Sequence, residues 1–411
     1  MLRSMYSGIG GMKNFQTKLD VIGNNIANVN TYGFKKGRVT FKDIASQTIS
    51  GASSAQANRG GTNAKQIGLG SALGTIDTIM TNSSLQTTGR PLDLGIDGDG
   101  FLIVKNGNQQ LYTRAGNLDI DSVGNLVNGD GLKVQGYGMN ANGTPNTSKL
   151  VNLTINKNAT VPPSQTSFVK YAGNLDSNAV VGATASMDFN IKDSLGNDVP
   201  ITAKFTKDAA TNSWTVNYTT TSPNFTITAN TGNITFNNNG TLNTAPVNTI
   251  TLTANAGYGG IVQPIAPASL DYSGISQNAA PSSLSVADKD GYSAGSLSSY
   301  TIGQSGEISG VFSNGQVKTL GQLALATFSN PGGLIKAGSN TFQDSNNSGI
   351  ANVSTPGNSR GVINSGSLEM SNVDLSEEFT DMIVAQRGFQ ANSRIITTSD
   401  QILEELVNLK R

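Results

Sequence analysis

The stretch DIDSVGNLVNGD, residues 119–130, spaces its carboxylates like a calcium loop. Asp119, Asp121, Gly124 and Asp130 stand at positions 1, 3, 6 and 12. Oxygen ligands at that spacing could surround a hard divalent cation. But position 5 is Val123, the last position lacks the bidentate glutamate, and no helical pattern flanks the loop. The stretch reads as a hairpin turn. Asp97 and Asp99 are the other tempting pair, because two carboxylates can cleave a glycosidic bond. They stand in DGDG, a turn sequence, and DKDG at 288–291 reads the same way. GIGG near the start has no strand before it and is not a phosphate loop. The Asn-x-Thr triplets at Asn224 and Asn233 match glycosylation acceptors, in a segment so rich in both residues that composition alone produces them.

The inventory of reactive side chains is short. The 411 residues include no cysteine and no histidine. The commonest general base, the commonest metal ligands and the thiol nucleophile are therefore missing, and so are disulfides. An enzyme is a poor reading, and no cofactor is implied. Basic and acidic residues balance at 27 each. That balance argues against nucleic-acid binding by phosphate neutralisation and against a polybasic membrane anchor. Charged residues are only 13% of the chain, about half the usual ~25%. Asn, Thr, Ser and Gly supply the polarity instead. No apolar run approaches the ~20 residues of a membrane span, so no membrane insertion is expected. The N-terminus does not read as a cleaved secretory signal.

Such a chain must act through its surfaces, and the two ends carry the clearest pattern. Leu2, Met5, Ile9, Met12, Leu19 and Ile26 fall on alternating steps of three and four. Leu375, Phe379, Met382, Phe389, Ile396, Leu403 and Val407 do the same at the other end. This is coiled-coil spacing. Phe15, Ile22, Ile395, Ile402 and Leu406 widen each stripe. Asp374 is a candidate N-cap, with Glu377 three residues on and Lys410 and Arg411 at the far end. Residues 1–42 hold seven basic groups and one acid, whereas 366–411 hold eight acids and four bases. Opposite charge favours bringing the ends together. The first helix is weak by itself, with Gly8, Gly10, Gly11 and Gly23 each costing about 1 kcal/mol against Ala. Both ends are therefore expected to be poorly ordered alone and to become helical when subunits meet. An ordinary intramolecular pair of helices is the alternative.

Between the ends the chain is strand-like. Residues 92–138 and 299–331 alternate short apolar runs with Asp-Gly, Asn-Gly and Gly-Asn turns, which are hairpin signals. Between Asp208 and Asp271 no side chain is charged, and NSWTVNYTTTSPNFTITANTGNITF has the alternation of strands. The expected fold is mainly β with helical termini, in nested β-domains. Residues 1–30 and 372–411 would form the terminal helical assembly domain, 31–84 a connector, 85–148 and 292–371 one β-domain, and 149–291 a second inserted into it.

SGIGGMKNFQTKLDVIGNNIANVNTYGFKKGRVTF, TGRPLDLGIDGDGFLIV, YTRAGNLDID and GSLEMSNVDLSEEFTDMIVAQRGFQANSRIITTSDQILEELVNLKR are the specific stretches. Together they resemble the bacterial flagellar rod and hook protein family over both ends and most of the first β-domain. Where that family usually has Ala-Asn-Asn-Leu-Ala-Asn, this chain has Gly23-Asn24-Asn25-Ile26-Ala27-Asn28. The middle, about 150–290, matches only loosely. The large inserted domain resembles the hook-building members rather than the distal rod. The resemblance implies a homopolymer, exported through the flagellar type III apparatus without a cleaved signal. That polymer would be a curved hollow tube joining rod to filament and passing torque while bending. It also implies the distal rod, the hook cap and the hook-filament junction proteins as partners. A secreted β-rich surface adhesin, testable by sugar binding, is the alternative from another class. A carbohydrate-cleaving enzyme using Asp97 and Asp99 stands third.

The apolar stripes named above are the expected self-assembly surfaces, together with Asn24, Asn25 and Asn28. Asparagine tolerates the left-handed position that ends a helix, and its amide donates and accepts at once. The cluster is expected to stop the first helix and to bond neighbouring backbones without adding repeated charge.

Overall fold

The computed structural model describes residues 2–55, 59–140, 142–228, 231–246, 249–263, 265, 269–357 and 360–408. The side chains of Leu2, Arg3 and Leu406 lie outside the described set, as do Lys410 and Arg411. Among the described residues α-helix occurs only at the two ends: α1, Leu2–Ala27, and α2, Leu375–Asn408. Between them the described residues form strands and turns, with one short 3-10 turn at Pro331–Gly333.

The described residues fold as two compact units. The first comprises Met1–Asn156, Tyr300–Ser309 and Thr319–Arg411; the second comprises Lys157–Ser299 and Gly310–Lys318. The first unit holds both helices. It also holds the segment 31–84, where Gly37–Asp43 pairs antiparallel with Ser71–Thr78, and Ser46–Ser50 with Lys65–Gly68. Its sheet is built from hairpins. Phe101–Asn106 pairs with Gln109–Thr113 around the Asn106–Gly107–Asn108 turn, where Gly107 takes φ 58°. Lys133–Met139 adds beside Phe101–Asn106, and Leu325–Thr327 pairs with the start of that same strand. Apolar residues of these strands bury Phe101, Ile103, Tyr112, Phe328 and Phe342, with rings meeting edge to face. The chain then returns to α2 alongside residues 85–97. Val362–Ser365 pairs with Leu94–Asp97, and Ser367–Glu369 with Leu85–Thr87.

The second unit shows why an uncharged Thr/Asn segment can still fold. In Asp198–Lys207 and Ser213–Thr220, alternate residues turn inward while Thr202, Lys204, Thr206, Thr215, Asn217 and Thr219 turn outward. These strands sit in a five-stranded antiparallel meander. Beside it is a three-stranded sheet in which Val169–Asp176 runs parallel to Leu270–Asn278. Trp214, Tyr171, Tyr218, Tyr272 and Phe205 fill the core.

Candidate functional site

Asp374 opens α2. Its carboxylate accepts the N–H groups of Ser376 at 2.8 Å and Glu377 at 3.3 Å, satisfying two otherwise unpaired helix donors. From there α2 runs antiparallel to α1. The pairing can be read as a ladder. Asn25 Nδ2 donates to Glu378 Oε1 at 3.0 Å, Lys18 pairs with Asp381 at 3.2 Å, and Phe15 covers Gly388. Farther along, Gly11 faces Asn392, and Gly8 faces Ile396. A Cβ on Gly11 would lie 2.8 Å from Asn392 Oδ1, and one on Gly388 would lie 2.5 Å from the Phe15 ring. Glycines weaken α1 as an isolated helix, yet here they let the two backbones close up.

This seam lies one residue away from the apolar stripes read in the sequence. Gly8, Gly11, Asn14, Ile22 and Asn25 are the buried positions of α1, and Glu378, Ala385 and Ser399 those of α2. Met5, Met12, Leu19, Ile26, Met382, Ile396 and Leu403 flank the seam, half-buried. Ile9, Leu375, Phe379, Phe389 and Val407 are exposed. The pairing thus brings the small and polar faces together. It leaves large apolar side chains outside, including Phe379 at 51%, Ile383 at 59% and Val384 at 55% exposure. Ile383, Val384 and Tyr6 were not among the expected surface residues, although the four-residue step from Phe379 to Ile383 puts those two on one face.

The asparagine cluster works differently from the expectation. None of Asn24, Asn25, Asn28 or Asn30 has a positive φ; the left-handed residue is Gly33, φ 70°. Gly33 is fixed there because its α-carbon approaches the Arg114–Ala115 backbone so closely that a Cβ would lie 2.6 Å away. Asn28 instead folds back, its Nδ2 donating to the carbonyl of Asn24 at 2.9 Å and to Asn24 Oδ1 at 2.7 Å. Asn24 itself is exposed. Asn25 is buried, and its amide brackets Gly37, donating to the carbonyl at 2.9 Å and accepting the N–H at 2.9 Å. It serves both the turn after α1 and the first residues of α2. Burial raises the pKa of Glu378, and the Asn25 hydrogen bond opposes that rise.

Opposite charge does bring the ends together. Lys36 pairs with Glu377 at 2.7 Å at the surface. Lys35 pairs with Glu369 at 2.6 Å, both side chains fully buried, and Arg114 reaches the other oxygen of Glu369 at 3.3 Å. Burial lowers the pKa of Lys35, Glu369 raises it back, and Arg114 lowers it further. Of the acidic motifs, Asp121 serves its own turn, while Asp290 of DKDG accepts the N–H groups of Ser167 and Phe168. Asp121 accepts the N–H groups of Val123 and Asn125, and Asp119 pairs with Arg90 at 3.0 Å.

Family comparison matches the chain piece by piece. The model described as "Flagella basal body rod protein" matches residues 5–35. "Flagellar hook protein FlgE/F/G D1 domain" matches 95–169, "Flagellar basal body protein FlaE D2 domain" 156–292, and "Flagellar basal body rod FlgEFG protein C-terminal" 364–409. The chain is 42% identical over 448 aligned residues to the flagellar hook protein FlgE of Borreliella burgdorferi, covering all of both chains. This chain belongs to the flagellar hook and basal-body rod family. Another family member, the basal-body rod protein FlgG of Bacillus subtilis, is 40% identical over 413 residues, again covering all of both. The flagellar hook protein FlgE2 of Helicobacter pylori shares the fold, with a TM-score of 0.52 at 14% identity over 69% of this chain and all of that one. The paired terminal helices described above lie in the two end segments that the family models match.

Proposed function

We propose that the chain is the structural subunit of the bacterial flagellar hook. It self-assembles through its two ends into a curved hollow tube that joins rod to filament and transmits torque as a universal joint. The observation that carries this reading is the number of large apolar side chains left outside the α1–α2 pair in a member of this family. Burying a large side chain is worth roughly 1.5–3 kcal/mol. A soluble monomer rarely exposes several such side chains contiguously without a partner for them. Leu375, Phe379, Ile383, Phe389 and Val407 of α2, with Ile9 and Tyr6 of α1, would be covered by neighbouring copies. Outward-facing Thr and Asn of the second unit suit contacts that must slide, because neutral hydrogen bonds exchange without fixing one register as ion pairs would.

The partners that follow are further copies of the chain, then the distal rod, the hook cap, the hook-filament junction proteins and the type III export apparatus. The place of action is outside the cell, at the basal end of the filament. No enzymatic step is part of this role. Among the described residues no helix is long and apolar enough to cross a membrane.

The test is Phe379→Asp with Ile383→Asp. Both side chains are exposed, so the monomer should keep its circular dichroism and melting temperature while losing assembly, read by sedimentation and electron microscopy. Tubes forming at the unsubstituted rate would overturn the proposal. The likeness to a rod protein favours a second reading, a rod segment. Electron micrographs of flagella from cells lacking the chain distinguish them: a rod without a hook supports the first, no rod the second.

A further inference from the structure

Glu369 serves two buried cations at once. The side chains of Lys35, Glu369 and Arg114 are 0%, 0% and 3% exposed. Lys35 also donates to the Thr81 carbonyl at 2.8 Å, and the Ser83 N–H donates to Glu369 at 3.2 Å. The cluster therefore holds two positive charges and one negative. A buried charge without its counterpart is costly. Arg114 Nε is buried and has no hydrogen-bond partner among the described residues. Arg114 also lines a cavity of about 170 Å³, together with Met80, Asp99, Phe101, Thr327 and Phe328. Its guanidinium lies 5.1 Å over the Phe101 ring, which takes up one face.

We propose that this cavity is a carboxylate socket, in which one carboxylate group pairs with Arg114 and completes the buried ion cluster. The volume is several times the ~30 Å³ share of a water molecule. It is well below the ~300–1,000 Å³ of ordinary small-molecule sites. A carboxylate group fits that range and a larger metabolite does not. The planar fork of arginine is suited to a carboxylate. An anion there would also relieve the repulsion that Arg114 exerts on Lys35. The group can come from a free small carboxylate or from an acidic side chain of a second copy. Asp99 is the competitor built into the chain. It is the one carboxylate among the lining residues and is exposed, between Gly98 at φ 105° and Gly100 at φ 145°. Its carbonyl is held by the Gly361 N–H at 2.7 Å, so only its side chain is free to turn inward.

The experiment follows the arginine Nε–H signals of the full chain, kept dilute, by NMR during a sodium acetate titration. Sodium chloride at matched ionic strength is the control. Arg114→Lys identifies the signal by removing it. The expected result is a saturable shift of the Arg114 Nε–H with acetate and none with chloride, and several-fold tighter acetate binding in Asp99→Asn. No shift, or equal shifts with both salts, overturns the socket. If Arg114→Lys does not fold, Asp99→Asn decides, and an unchanged acetate affinity overturns the proposal. In assembled chain without acetate, a signal already at the acetate-bound position supports a neighbour's carboxylate as occupant. A signal at the free position supports a free carboxylate.

Discussion

Glu369 and Glu377 are acids of the same C-terminal stretch, each paired with a lysine of the Lys35–Lys36 dipeptide, yet their surroundings give them different weight. The Glu369 pair is fully buried, whereas Lys36 and Glu377 keep 20% and 61% of their side-chain surface. Removing one partner of a buried pair strands the other and costs about 3–5 kcal/mol. An exposed pair is worth roughly 0–1 kcal/mol. Glu369→Ala should therefore destabilise the first unit by about 3–5 kcal/mol in a denaturant titration, and Glu377→Ala by less than about 1 kcal/mol. Equal losses would show that the depth of Glu369 carries no energetic weight. The sequence displayed the opposite charge of the two ends but not which lysine goes inside. That depends on residues far away in the chain: Gly33 packs against the Arg114–Ala115 backbone, and Lys35, two residues on, meets Glu369 and the Thr81 carbonyl. The asparagines were similarly half-legible. Their amide chemistry was readable, but Gly37 as the partner of Asn25 depends on a turn whose path residue types do not fix.

At the scale of the element, two helices at the chain ends were legible because three-and-four spacing is a local property. The face used for pairing was not. Counting large apolar residues finds the faces with most to bury, whereas α1 and α2 meet largely through glycine, alanine and asparagine, which that count ignores, joined by Phe15, Ile22 and Ile396. Close packing of backbones selects the small face and leaves the bulky one outward. Two glycines test this with opposite signs. At Gly388 an added methyl would meet the Phe15 ring at 2.5 Å, while at Gly23 nothing lies within 4 Å. Alanine favours an isolated helix by about 1 kcal/mol over glycine, but overpacking typically costs about 1–3 kcal/mol. Gly23→Ala should raise the melting temperature followed by helical circular dichroism. Gly388→Ala should lower it, because crowding outweighs propensity at that position. A rise in both would mean the seam is looser than the ladder of contacts implies.

For the whole molecule, the two units carry separate reporters. Both helices belong to the first unit, while the chain's single tryptophan, Trp214, is 1% exposed in the core of the second. Helical circular dichroism and tryptophan fluorescence thus follow different units. The second unit also contains a buried phenol cluster. The Tyr218 hydroxyl donates to that of Tyr171 at 3.0 Å and shares a hydrogen bond with that of Tyr272 at 2.6 Å. Burial pushes the phenols of Tyr171 and Tyr218 far above their ordinary value of 10.0, with repulsion from neighbouring phenols adding to the rise. A raised folded-state pKa favours the protonated form, so this stability is fully present below pH 10 and is lost as the unfolded chain begins to ionise above it. Each such tyrosine contributes a decline of up to about 1.4 kcal/mol per pH unit. The tryptophan transition should therefore move to lower temperature as pH rises above 10, and Tyr218→Phe should flatten that dependence even if it lowers stability at neutral pH. The first unit has its own raised phenols, Tyr112 and Tyr137, but neither is hydrogen-bonded into a buried phenol cluster. Its helical signal should decline with a shallower slope. Parallel slopes for the two signals, unaffected by Tyr218→Phe, would remove the phenol cluster as the cause and point to general charging of the chain.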